Sequence, residues 1–273
     1  MCLVLSTMAI AKDVKVSSPD GSLTVTVGVD GGCAWYQVMR SHEAIINRSA
    51  LGFELKGGDL KDNFKMGKVT RGSLDETWNQ PWGEDAQVRN HYNEMKVRLQ
   101  EKGGHKRVID VVFRAFDDGI AFRYEFPEQA SLREFVIMDE VTQFALPVDA
   151  QTWSIPALTA YYEGIYTREP LSCKGKMAGP VALEVNDLLY VAIMDANLTD
   201  YSTMNFASSG TTLTVDLVPW KNGDKVRVGQ TRVSPWRAVI IGRKPADILL
   251  SRMALNLNDP CKIEDTSWLK PTK

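Results

Sequence analysis

The chain has little of what most active sites are built from. Its 273 residues include four cysteines and three histidines, and 32 Lys+Arg nearly balance 34 Asp+Glu. A formal charge of -2 and a pI near 6.0 supply no positive footprint for nucleic acid or an anionic membrane surface. No CxxC pair occurs, and His42, His91 and His105 stand apart from Cys33, Cys173 and Cys261. Neither a structural zinc set nor a disulfide framework is therefore spelled out, and these cysteines are expected to be small buried hydrophobes. There is no Gly-rich phosphate loop, no nucleophile elbow, no HExxH helix and no acid and base at a recognisable spacing. Long apolar runs are missing too. Beyond the first eleven residues nothing approaches the ~18 to 20 apolar residues of a membrane helix, so no membrane insertion is expected.

What is there suffices for a folded domain. A hydrophobic content of 44% over this length can bury a full core, which excludes disorder as the default. Met1–Ala11 is apolar and uncharged, with small residues at Ala9 and Ala11. It reads as the back half of a secretory signal peptide ending before Lys12, which implies export to the periplasm or the outer membrane. The competing reading is an ordinary buried first strand.

The periodicity is that of strands. Leu23, Val25, Val27 and Val29 alternate with Thr24, Thr26 and Gly28 after an Asp20-Gly21 turn, the period-two pattern of a half-buried strand. From Val111 to Phe126, Ile120, Phe122, Tyr124 and Phe126 fall on one face and Arg123 and Glu125 on the other, with Asp118-Gly119 as the hairpin turn. Further strands are predicted at Thr152–Ile155, Ala182–Val185, Leu189–Met194, Thr212–Val218 and Ala238–Ile241, with a break at Lys221–Asp224. Only Pro245–Arg252 reads as a helix, with Pro at its first position and Ile248, Leu249 and Met253 at helical spacing. The expected fold class is all-β, a large sandwich with one or two short helices. No internal repeat divides it. The tail Lys270–Lys273 reads as the start of a linker.

Three segments carry chemistry. Asp75–Glu94, DETWNQPWGEDAQVRNHYNE, gathers two tryptophans, one arginine, one histidine, three asparagines and several carboxylates in what is read as a loop. Aromatic faces stack on sugar rings while amides, carboxylates and guanidinium groups bind hydroxyls. Trp78, Trp82, Glu84, Arg89, Asn90, His91, Asn93 and Glu94 are therefore candidate carbohydrate-binding or domain-interface residues. From the residues alone, tryptophans plugging a sandwich end explain the segment equally well. Glu163, in Tyr161-Tyr-Glu-Gly-Ile-Tyr166, is a carboxylate among tyrosines. By itself it reads as a rim glutamate bonded to a tyrosine hydroxyl, with a hard cation such as calcium as the other reading. Asp195, Asn197 and Asp200 lack the spacing of a helix-loop-helix calcium loop and read as a turn with local Asx bonds. Arg237 beside Trp236 suggests a guanidinium stacked on an indole, and Asn256–Pro260 reads as interface or linker.

SPDGSL (Ser18–Leu23), DETWNQPWGE (Asp75–Glu84), RNHYNE (Arg89–Glu94), FDDGIAFRYEFP (Phe116–Pro127), ANLTDYS (Ala196–Ser202), SPWR (Ser234–Arg237), LNLNDPC and DTSWLKP occur in this order. In these segments the chain resembles the amino-terminal domain of glycoside hydrolase family 97, a family of bacterial α-glucosidases and α-galactosidases. The resemblance implies a galactose-mutarotase-like β-sandwich over residues 12–268, followed in complete members by a (β/α)8 catalytic barrel that is missing here. It implies an α-linked oligosaccharide as substrate and a calcium ion shared with that barrel, with Glu163 as the ligand given by the sandwich. The catalytic acid and base belong to the barrel, so this chain alone should not hydrolyse a glycoside. A free-standing carbohydrate-binding module resting on Trp78 and Trp82 is the alternative. A mutarotase, with His91 as its acid, follows only from fold analogy.

Overall fold

The computed structural model describes residues 13–157, 163–229 and 232–269. The expected leader Met1–Ala11, Tyr161, Tyr162 and the tail 270–273 lie outside the described residues.

Alternation does what it predicts. In strand Leu23–Asp30 the side chains of Leu23, Val25 and Val27 are wholly buried. That strand pairs antiparallel with Val14–Ser17 on one side and Cys33–Arg40 on the other. The sheet continues in space through Glu43–Leu51, Gln143–Ala145, Thr212–Leu217 and Met204–Ser209 to Lys176–Ala178, eight strands in all. A nine-stranded sheet runs from Thr167–Pro170 through Gln151–Ser154, Val181–Asn186, Leu189–Ala196, Trp236–Gly242, Gly119–Glu125, Val108–Phe116 and Gln87–Glu101 to Phe64–Asn79. A small third sheet joins Val226–Val228, Phe135–Glu140 and Phe53–Leu55.

The large sheets pack face to face. Tyr36 of the eight-stranded sheet sits 4.9 Å from the ring of Phe122 of the nine-stranded sheet, and Phe53 of the small sheet meets Tyr124 at 4.5 Å. Each such buried side chain contributes roughly 1.5–3 kcal/mol over its exposed state. The expected hairpin Val108–Phe116 to Gly119–Glu125 is present, but it turns at Asp117-Asp118, one residue before the expected Asp118-Gly119, and Gly119 opens the second strand. Gly119 is required there: a Cβ would lie 2.3 Å from the Val239 carbonyl oxygen and 2.6 Å from Met253 Sδ.

The outer face of the nine-stranded sheet carries a second apolar cluster, with Tyr92, Val112, Ala121, Trp236 and Ile240 beneath Met253 and Leu257. The predicted helix Pro245–Arg252 is in fact two, Pro245–Leu250 and Met253–Leu257. Ser251 is extended (ψ 136), and this break turns Met253 down onto the sheet and leaves Leu249 81% exposed. Leu249 is thus no part of a helical core face.

Three more expectations are corrected. Trp236 and Arg237 do not stack on each other, because neighbours in a strand point to opposite faces. Arg114 and Arg123 cover the Trp236 ring at 4.5 and 4.6 Å, while Arg237 enters the interior. Asp75–Glu94 is not a loop but most of a long hairpin, Phe64–Asn79 paired with Gln87–Glu101. Cys33, Cys173 and Cys261 are all exposed, since Cys33 follows a Gly-Gly turn, Cys173 sits in a short 3-10 turn and Cys261 lies in the irregular carboxy-terminal segment. No helix among the described residues is long and apolar enough to cross a membrane.

Candidate functional site

The long hairpin of residues 64–101 forms one edge of the nine-stranded sheet, and its tip turns through Gln80–Ala86. Gly83 permits this turn. Its φ is +120°, and a Cβ would fall 2.3 Å from Gln80 Nε2, so the Gln80 amide folds beneath the glycine. Opposite the tip lies the carboxy-terminal segment. Trp78 Nε1 donates to Asn256 Oδ1 at 2.9 Å, and Asn256 Nδ2 donates to the Arg89 carbonyl at 2.9 Å. Arg252 pairs with Asp85 and lies 3.7 Å from Glu84. Asn258 Oδ1 accepts from the Asn197 backbone at 3.0 Å, and Asn197 Nδ2 reaches Asp259 at 3.2 Å. Of the residues expected to make local Asx bonds, Asn197 thus reaches the carboxy-terminal segment instead, while Asp195 Oδ2 accepts from the Met204 backbone at 3.3 Å.

Between hairpin tip and segment opens a cleft of about 750 Å³, walled by Glu76, Trp78, Gln80, Trp82, Asn90 and Asn256, with Asn258, Asp259 and Glu264 at its far side. Trp82 is half exposed and Asn90 is 7% exposed. Gln80 Oε1 and Asn90 Oδ1 are buried without a hydrogen-bond partner among the described residues. Buried polar atoms are rarely left so, and an unpaired one marks a place where water or a ligand group belongs.

The other candidates on the hairpin are engaged elsewhere. Arg89 holds Asp75 in a two-pronged pair at 2.8 Å, and this hydrogen bond keeps the Asp75 carboxyl below its ordinary range. His91 stands between Asp75 and Asp117 at 3.9 and 3.8 Å, too far for hydrogen bonds, and no glutamate is within ion-pair reach of it among the described residues. Asn93 Nδ2 donates to the Ser17 carbonyl at 2.9 Å, tying the hairpin to the first strand. Glu94 pairs with Arg114 at 3.0 Å, whose guanidinium lies between Tyr92 and Trp236. Of the eight predicted hairpin residues, Trp78, Trp82 and Asn90 line the cleft. Glu84 and Arg89 brace its rim, whereas His91, Asn93 and Glu94 serve the sheet.

Glu163 is elsewhere. In sequence it lies between Gln151–Ser154 and Thr167–Pro170, and the latter is the opposite edge strand of the nine-stranded sheet, eight inter-strand steps from Phe64–Asn79, roughly 38 Å along the sheet at about 4.8 Å per step. It is exposed and makes no hydrogen bond or ion pair among the described residues. No group of three or more His, Cys, Asp or Glu among them could hold a metal. Exposed Ile165 and Tyr166 flank it, and Trp153 on the same hairpin donates to Glu184 at 2.5 Å.

Sequence reasoning left Gln80 out of the candidates and read Asn256–Pro260 as interface or linker, without joining it to the hairpin. The hairpin residues carried a signal in composition, but the partnership with a segment so distant in sequence carried none.

The two-sheet β-sandwich is a fold shared with part of solved glycoside hydrolases. The sequence profile described as "Glycosyl-hydrolase 97 N-terminal" matches residues 16–260, and the chain belongs to this family. It is 26% identical to a retaining alpha-galactosidase of Bacteroides thetaiotaomicron, over 99% of this chain and 45% of that protein. A glycoside hydrolase family 97 enzyme from Pseudoalteromonas sp. strain K8, solved in complex with acarbose, superposes with a TM-score of 0.91 at 35% identity, covering 94% of this chain and 40% of that one. A beta-arabinopyranosidase shares the fold at 22% identity and a TM-score of 0.77. The chain thus spans less than half the length of these relatives.

Proposed function

We propose that this chain is the sandwich domain of an α-glycosidase of family 97, forming part of a sugar pocket and presenting Glu163 as one ligand to a calcium ion. The acid, the base and the remaining calcium ligands come from a (β/α)8 barrel that accompanies the domain in a longer enzyme. The observation that carries this reading is the similarity, over nearly the whole of this chain, to an enzyme solved with acarbose and with panose. That enzyme has more than half its length elsewhere. The carboxylates here support the division of labour. Asp75, Asp85 and Glu94 are each engaged by an arginine, and the hydrogen bond from Arg89 lowers the Asp75 carboxyl, which suits it poorly to give a proton at neutral pH.

Calcium takes about six to eight oxygen ligands, and Glu163 by itself does not form such a site. It fits a shared one, being exposed and without a partner among the described residues. If Met1–Ala11 is the end of a secretory leader, the enzyme works in the periplasm or at the outer membrane.

The test joins this chain to the barrel of a family 97 relative and follows hydrolysis of aryl α-glucoside and α-galactoside. The chain alone should hydrolyse neither; the fusion should hydrolyse one and lose activity to a chelator. Glu163→Gln should raise the calcium concentration required. Hydrolysis by the unfused chain, or a calcium requirement that Glu163→Gln leaves unmoved, would overturn the assignment.

A further inference from the structure

We infer that the cleft between the hairpin tip and the carboxy-terminal segment is itself a binding site for neutral oligosaccharides, with Trp82 as the stacking platform and the Gln80 and Asn90 amides reading hydroxyls. This goes beyond the pocket proposed around Glu163, which lies at the other sheet edge, and it does not depend on calcium.

The two tryptophans are not equivalent. Trp78 is spent on structure, because its indole N–H anchors Asn256 and so fixes the opposite wall. Trp82 makes no such bond and is 51% exposed at the mouth of the cleft. A large apolar ring held at a solvent-facing rim is what a sugar's C–H face stacks on. Two residues of the same lining hold acceptors unmatched among the described residues, Gln80 Oε1 and Asn90 Oδ1. Hydroxyl groups are the ligand donors that fit them, and satisfying a buried acceptor removes a standing cost.

Charge selects among sugars. Glu76, Asp259 and Glu264 line the cleft, and among the described residues no lysine, arginine or histidine does. Arg89 and Arg252, which flank the hairpin tip, are already paired with Asp75 and Asp85. An acidic or phosphorylated sugar would meet uncompensated negative charge, whereas a neutral one meets further hydroxyl acceptors. The carboxylates are too dispersed to form a metal cluster. A volume of about 750 Å³ falls in the range that encloses ligands larger than a monosaccharide.

Calorimetric titration of this chain with maltotriose and, separately, with trigalacturonate tests the inference, with chelator present throughout. Saturable binding of maltotriose is expected, with trigalacturonate at least about tenfold weaker. Trp82→Ala should weaken maltotriose binding by about tenfold or more, the scale of one aromatic contact. Asn90→Ala should also weaken it. Because Asn90 is buried, Gln80→Ala serves as the second amide variant, and both are checked for native melting. Glu163→Gln should bind as the parent chain does, so failure of the calcium reading leaves this result untouched. No heat of binding at millimolar maltotriose, equal binding of the acidic sugar, or affinity that Trp82→Ala leaves unchanged would overturn the proposal and make the cleft a seat for protein.

Discussion

Arg237 and Glu140 form an ion pair with no exposure on either side. Arg237 Nη2 and Nε donate to the carboxylate at 2.6 and 3.0 Å, and the pair bolts the small sheet to the nine-stranded sheet. Burial works against the arginine's charge, yet the facing carboxylate more than offsets it and holds the guanidinium above its ordinary pKa. Tyr201 adds a third contact at 3.4 Å, and burial raises its hydroxyl pKa well above normal. Removing one partner strands the other as a buried charge. Arg237→Met is expected to cost about 3–5 kcal/mol in urea unfolding, and the double variant with Glu140→Leu should recover part of that loss. Additive losses would show that the two groups are not coupled.

The Trp78–Asn256 bond should set the mobility of the carboxy-terminal segment. Trp78→Phe keeps the ring and removes the donor, for a loss of about 1 kcal/mol. Local opening rather than global unfolding should dominate. Limited proteolysis should then cut between Leu250 and Thr266 faster than in the parent chain, while the melting temperature changes little. Unchanged cleavage would mean that Asn256 is held by its bond to the Arg89 carbonyl alone.

Alternation made some strands legible and left others unread, Gln87–Glu101 with its buried Val88, Tyr92, Val97 and Leu99 among them. Ile120, Phe122 and Tyr124 alternate with Ala121 and Arg123 because one row enters the core, which is the signal that periodicity reads. Phe64–Asn79 is an edge strand largely exposed along its length, so its sequence carries no alternation and reads as a loop. Composition alone flagged Trp78, Trp82 and Asn90. The opposite wall stayed hidden because Asn256 meets Trp78 across 178 positions of chain, a contact set by how the terminal segment crosses the sheet. Glu163 stood out locally as a carboxylate among tyrosines, but that setting alone read as a rim glutamate, and only the family resemblance turned the reading to calcium.

Acid should weaken the fold partly through Glu101. Arg107, itself buried, donates to both Glu101 oxygens and to the Gly58 carbonyl at 2.7 Å. The hydrogen bond from Arg107 holds the Glu101 carboxyl below its ordinary value of 4.5. A carboxylate lowered on folding adds stability that is fully present above the unfolded pKa and fades as pH falls through the folded one. Stability should therefore drop as pH falls from about 5 through the lowered carboxylate range. In Arg107→Met the acid limb should be shallower, at lower overall stability. Parallel pH profiles for the two proteins would remove Glu101 from the account.

Calcium alone should leave this chain's stability unchanged. A ligand that binds only the folded state at about one hundred times its Kd adds about 2.7 kcal/mol. For a domain of this size, that raises the melting temperature by roughly 5 to 10 °C. At Glu163 the sequence places a single carboxylate between Gln151–Ser154 and Thr167–Pro170, and the described residues hold no cluster of three metal-ligating side chains, well short of the oxygen ligands calcium gathers. The melting curve in millimolar calcium should therefore overlay the curve in chelator, for the parent chain and Glu163→Gln alike. A rise of several degrees that Glu163→Gln abolishes would mean that the loop completes a calcium site unaided, and a partner domain would no longer be needed to explain it. A rise that survives Glu163→Gln would place the ion elsewhere and detach Glu163 from calcium altogether.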